Sequence, residues 1–187
     1  MTSRNVFRSS LFLIVFLSAA PVWAATQGTL GATSTGTVNI SITKSVQTQI
    51  SDLSDMTLSN WSVGDGAVTL FSNACIYSST GSYKVTATGN GAGNAFTVAS
   101  GSNVLPYTVT WNAGGQGNLA NTGTSLVTNV QSTNFANANT SSANCSGGGP
   151  ANDTARVVVS ITQANMDAAS SSNTPYTGTL TMLISPF

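Results

Sequence analysis

Histidine and glutamate are both absent from this chain of 187 residues, and charged side chains make up only 5% of it. Without an imidazole, its many serines and threonines lack the usual base that turns a hydroxyl into a nucleophile. General acid–base work would fall to five aspartates, Asp52, Asp55, Asp65, Asp153 and Asp167. They are scattered, and in Gly-, Ser-, Thr- and Asn-rich surroundings aspartate ordinarily serves turns and solvated loops. The composition argues against an enzyme, and a secreted hydrolase working through carboxylates alone is the weakest reading. Basic residues are equally scarce: past position 24 there are Lys44, Lys84 and Arg156, too few for the positive surface that nucleic acid requires. Two cysteines without histidine make a poor zinc site, and no cofactor or metal is expected.

Long hydrophobic runs are also missing. The longest, 11–20 (LFLIVFLSAA), is about half of the roughly 20 residues needed to span a bilayer. It follows Arg4 and Arg8 and precedes Pro21 and Val22-Trp23-Ala24, which is the layout of a secretory leader with small residues where a signal peptidase reads. The expectation is a signal peptide over 1–24 cleaved between Ala24 and Ala25, in the style of a bacterial export substrate, with no transmembrane segment in the mature chain. Removing 24 of 187 residues leaves 163, with three basic and five acidic side chains and a net charge of −2. That length is one ordinary domain. Cys75 and Cys145 both survive processing, and an even pair in an oxidising compartment is most simply one disulfide.

What the sequence does contain is alternation. Val38-Asn39-Ile40-Ser41-Ile42, Val68-Thr69-Leu70, Tyr83-Lys84-Val85-Thr86-Ala87, Phe96-Thr97-Val98 and Tyr107-Thr108-Val109-Thr110-Trp111 repeat with period two, the mark of half-buried strands. Runs at 155–161 (ARVVVSI) and 176–184 (YTGTLTMLI) follow, and Gly, Asn and Ser clusters lie between them. Short strands so punctuated predict an all-β sandwich or barrel. Residues 163–169 are the one helix candidate. The spaced glycines of 89–94 lead directly into another β pattern, so they read as a connection and not as a dinucleotide fingerprint.

Residues 25–43 form a flexible extension ahead of a domain at 44–187. The extension begins with little to bury (ATQGTLGATSTGT) and ends in a strand pattern whose one face is Val38, Ile40 and Ile42. Such a tail either pairs within its own domain or completes the sheet of a neighbour, an established recognition mode.

The stretch 73–89 (NACIYSSTGSYKVTATG), with Ala95-Phe96-Thr97, Leu105-Pro106-Tyr107-Thr108-Val109-Thr110-Trp111, the late Cys145 and the closing Tyr176-Thr177-Gly178-Thr179-Leu180-Thr181, resembles the spore coat protein U-like family. That family includes subunits of archaic chaperone–usher pili of Gram-negative bacteria. Residues 38–58 and the closing strand also look like the alternate chaperone–usher pilins. The resemblance spans roughly 38–184. It implies an immunoglobulin-like β-sandwich lacking one strand, held by a periplasmic chaperone, passed to an outer-membrane usher and completed by the N-terminal strand of a neighbouring copy or related subunit.

Carried onto this sequence, the donor face is Val38, Ile40 and Ile42, and the strand around Leu180, Met182 and Ile184 is a candidate for the acceptor. One departure from the archaic pattern is that the first cysteine is Cys75, with none close to the mature N-terminus. Two functions follow as expectations. One is a structural subunit of a surface fibre that passes through the periplasm and supports adhesion or biofilm formation; the other is a self-complete secreted β-sandwich that acts as a binding module.

Overall fold

The computed structural model describes residues 24–146 and 151–187. The leader features at Arg4, Arg8, 11–20 and Pro21, and the glycines of 147–149, lie outside the described residues. Ala24 and Ala25, on either side of the expected cleavage point, are exposed. The chain divides into a unit ending at Lys44 and a second, Ser45–Phe187.

Among its described residues the first unit contains one antiparallel bridge, in which Thr26 and Thr37 each donate their N–H to the other's carbonyl at 3.0 Å. The two threonine hydroxyls are also in contact. No strand forms over residues 38–42, contrary to the alternation there. Val38, Ile40 and Ile42 remain 72%, 80% and 88% exposed. Alternation of β-branched residues suits a pleated, half-buried surface, but a strand also requires a neighbour to complete its ladder.

The second unit is all-β with antiparallel sheets. Its strands are β1 (Thr48–Ser51), β2 (Val68–Ser78), β3 (Tyr83–Gly89), β4 (Thr97–Ser100), β5 (Asn103–Pro106), β6 (Thr108–Asn112), β7 (Thr124–Leu126), β8 (Ala155–Ile161) and β9 (Leu180–Pro186), with a helix α1 (Gln163–Ala168) before β9. The larger sheet has the order β1-β2-β8-β6-β7, and β3 pairs with β9 and β4 with β5. β2 is long enough to pair twice: its first part opposes β8 from Val68↔Ile161 to Ala74↔Ala155, and its last part opposes β1 from Cys75↔Ser51 to Ser78↔Thr48. Alternate residues Ser72, Ala74, Ile76 and Ser78 are buried along it, as the period of two requires.

Trp111 of β6 and Tyr83 of β3 join the larger sheet to the β3–β9 pair through the core. The indole Nε1 donates to the Tyr83 hydroxyl at 3.1 Å, and the rings meet edge to face with centroids 6.4 Å apart. Both side chains are fully buried, and Tyr83 also packs on Phe135. Burial pushes the Tyr83 phenol up to about 12, against the lowering effect of the Trp111 hydrogen bond.

Residues 129–135 run beside β3. Tyr83 and Phe135 exchange backbone hydrogen bonds, Ser132 N–H donates to the Val85 carbonyl at 2.8 Å, and Asn129 N–H donates to that of Ala87 at 2.9 Å. The β4–β5 hairpin turns over two residues, Gly101 and Ser102, with Gly101 at φ 61°, where a side chain would be strained. α1 is capped by Thr162, whose hydroxyl accepts from Asn165 N–H at 3.2 Å.

Candidate functional site

Cys75 and Cys145 are bonded, with their Cα atoms 5.7 Å apart and 70 residues between them in sequence. Cys75 lies where β2 passes from its β8 partner to its β1 partner, and both cysteines are fully buried. The bridge fastens the loop around residue 145 to the strand that organises the larger sheet. Beside it a shallow polar hollow is lined by Gln47, Thr48, Gln49, Tyr77 and Ala143.

β9 offers a more consequential surface. Its ladder runs with β3 from Leu180↔Gly89 to Pro186↔Tyr83, and just ahead of it Thr177 exchanges two 2.9 Å hydrogen bonds with Ala99 of β4. These are its strand partners among the described residues. A two-stranded pair leaves one side of a strand without a ladder, and such an edge is a template for another chain. Leu180, Met182 and Ile184 point toward the core yet are only half-buried, and Leu183 on the opposite face is 59% exposed. On β8 the inward residues Ala155, Val157 and Ile161 are buried and Val159 alone of that face is half-buried. Ile50 of β1, with Met56 and Trp61 from the strandless segment 52–67, also packs on the core while remaining half-buried.

Four of the five aspartates are exposed, as their sequence contexts suggest, and Asp65 closes a turn by accepting Ser62 N–H at 2.7 Å. Asp153 departs from that expectation: it is 2% exposed, and among the described residues its Oδ1 has no hydrogen-bond partner. Burial first, then the charge of Asp52 and its hydrogen bond, hold the Asp153 carboxyl above the ordinary range, while a hydrogen bond from Asn73 pulls it down. Nothing in the sequence around Asp153 distinguished it beyond the apolar run that begins at Ala155.

Among the described residues no three His, Cys, Asp or Glu side chains gather as a metal site, and no helix is long and apolar enough to cross a membrane. No family model, curated protein or solved structure matches the chain.

Proposed function

We propose that the protein is a structural subunit of a bacterial surface fibre of the chaperone–usher type. In this reading Ser45–Phe187 is an immunoglobulin-like sandwich short of one strand, and the exposed tail bearing Val38, Ile40 and Ile42 completes the sheet of the next copy. One observation carries it: the same chain has a strand edge whose inward side chains Leu180, Met182 and Ile184 are incompletely covered, and a segment of strand periodicity whose apolar side chains are exposed. Strand addition would satisfy both, with main-chain hydrogen bonds along β9 and alternate side chains set into the gap. A periplasmic chaperone would shield that edge before an outer-membrane usher exports the subunit, and the fibre would support adhesion. The second reading, a self-complete binding module, is favoured by a core whose largest members, Trp111, Tyr83 and Ile76, are already fully buried.

Deleting residues 25–43 separates the two. A fibre subunit so truncated accepts a strand but cannot donate one, so size analysis after periplasmic expression with a cognate chaperone should show short species where the full chain gives long ones. Added tail peptide should bind the truncated domain. An unchanged monomer in both forms, indifferent to the peptide, refutes the fibre reading.

A further inference from the structure

The folded unit Ser45–Phe187 carries two basic side chains, Lys84 and Arg156, and each lies over an exposed phenylalanine. Arg156 is the better fixed of the two. Its guanidinium carbon is 4.1 Å from the Phe71 ring centroid, Nε donates to Asn73 Oδ1 at 2.8 Å, and Nη1 donates to Asn121 Oδ1 at 2.8 Å. All three partners are neutral. They set the plane of the fork, but they do not balance its charge, and Nη2 makes no hydrogen bond among the described residues. A guanidinium held in this way is preorganised to donate to a carboxylate, because little further freedom is lost when the pair forms.

The fold places this group on an open face. Asn73, Arg156 and Asn112 are opposite one another on β2, β8 and β6, and Phe71, Val158 and Thr110 form the next row of that face. Ser72, Ala74, Ala155 and Val157 alternate with them and are buried, so these rows point outward from the larger sheet. Phe71 is 48% exposed there. A single exposed aromatic is ordinary. One that carries a fixed guanidinium on its ring joins an apolar surface to a positive charge, and arginine and aromatic residues are the types enriched where proteins meet.

Residues 52–67 have the opposite character. They include Asp52, Asp55 and Asp65 and no basic residue, and Leu53, Leu58 and Val63 are exposed among them. The segment has no strand, yet it is anchored: Met56 and Trp61 pack on the core, Trp61 Nε1 donates to the Gly66 carbonyl at 3.1 Å, and Ser54 N–H donates to Ser72 Oγ at 2.8 Å. Asp55 stands between Leu53 and Leu58, all three exposed. The contacts of the Arg156 guanidinium within its own chain include neither Asp55 nor Asp65.

We propose that the Arg156–Phe71 face receives segment 52–67 of a second copy of this chain, with the Asp55 carboxylate on the guanidinium and Leu53 and Leu58 beside the Phe71 ring. Charge and apolar surface are complementary on the two patches, and both patches belong to every copy. Because they are different patches, the contact is heterologous and can repeat from copy to copy. It uses faces of the folded domain and not strand donation, so within a fibre it is a second contact between subunits.

The test uses the full exported protein carrying Ile40→Asp, which disables strand donation and so separates this contact from the assembly reading. Sedimentation equilibrium across the micromolar-to-millimolar range should show reversible self-association. It should weaken as salt rises from about 0.01 M to about 1 M, over which the screening length falls from roughly 30 Å to roughly 3 Å. Arg156→Gln and, independently, Asp55→Asn should each weaken association by roughly tenfold or more. Asp55 is exposed, so its variant is informative even if loss of the Arg156 contacts disturbs β8. Lys84→Gln and Asp167→Asn, which change charge elsewhere, should leave association as it was. Proteins with Arg156→Glu or Asp55→Lys should each be monomeric alone and associate when mixed, because the intact face of one then meets the intact segment of the other. A protein that is monomeric throughout the range, association indifferent to Asp55→Asn, or a mixture no more associated than its parts overturns the proposal. So does glucuronate binding by the monomer that Arg156→Gln abolishes, which would give the face to an acidic sugar.

Discussion

Replacing Ile40 with Asp is the sharpest perturbation of the assembly reading, because the structure sets its size. Full burial of an aliphatic side chain is worth roughly 1.5–3 kcal/mol. With 80% of Ile40 still exposed, about 1.2–2.4 kcal/mol of that is gained when the side chain docks, and Val38, Ile40 and Ile42 together gain roughly 4–7 kcal/mol. Ile40→Asp forfeits its own share and also places a carboxylate in an apolar gap, at a further cost of several kcal/mol. At about 1.4 kcal/mol per tenfold, donor-peptide affinity should fall by at least roughly 100-fold. Asn39→Asp puts the same charge on the opposite face of an extended strand and should cost less than about tenfold. Titrating synthetic tail peptides into the protein lacking residues 25–43 measures both. Equal affinities for the Asn39→Asp and Ile40→Asp peptides, or an Ile40→Asp chain that assembles like wild type, would show that this face does not carry the contact.

Two further outcomes concern the domain. Removing the bridge with Cys75→Ala and Cys145→Ala should lower stability by about 4 kcal/mol, from the entropy of a loop of this length, and the melting midpoint by roughly 8–16 °C; a loss below about 1 kcal/mol would mean that the packing around β2 suffices without it. At the alkaline end, the Tyr83 phenol, raised to about 12 by burial, contributes stability below the ordinary phenol range near 10 that is lost as pH rises toward its folded value. Ultraviolet titration should show one phenol ionising late, together with unfolding, and Tyr83→Phe should abolish that coupling; a Tyr83 that ionises near 10 in the folded state would contradict its burial.

Strands built on plain alternation were legible in the sequence, and those carried by other means were not. The run at 155–161 coincides with β8, and 83–87 lies within β3, because each has an apolar residue at every second position facing the core. β2 extends well past the alternation at Val68-Thr69-Leu70 because Ser72 and Asn73, polar in sequence, have partners: Ser72 Oγ takes Ser54 N–H, and Asn73 Oδ1 takes Arg156. β1 has Ile50 as its one aliphatic residue and is recruited by the ladder that β2 offers, a tertiary effect invisible to local propensity. β5, with Val104 and Leu105 side by side, carries no alternation of its own and forms because the turn at Gly101 folds it back on β4. Val38 to Ile42 is the converse case, a strand pattern without a strand. The same limit applies at the site: Leu180, Met182 and Ile184 could be picked out by period, but the shortage of cover over them depends on which strands are neighbours.

The scarcity of charge gives the two buried acids unusual weight. In most domains many paired carboxylates make acid destabilising, and the optimum lies between their range and that of the bases. Here the side-chain carboxyls are five aspartates, with no histidine to charge below neutrality, and the one aspartate the fold buries has its carboxyl raised. Asp153 loses stability as pH rises out of the acid range, and Tyr83 does so again toward about 12. Both steps have the same sign, so stability should descend in two stages from acid to alkali, without the usual acid shoulder. If acid unfolds the protein first, then the exposed aspartates outweigh Asp153, and the electrostatics of this domain are set by its surface and not by its interior.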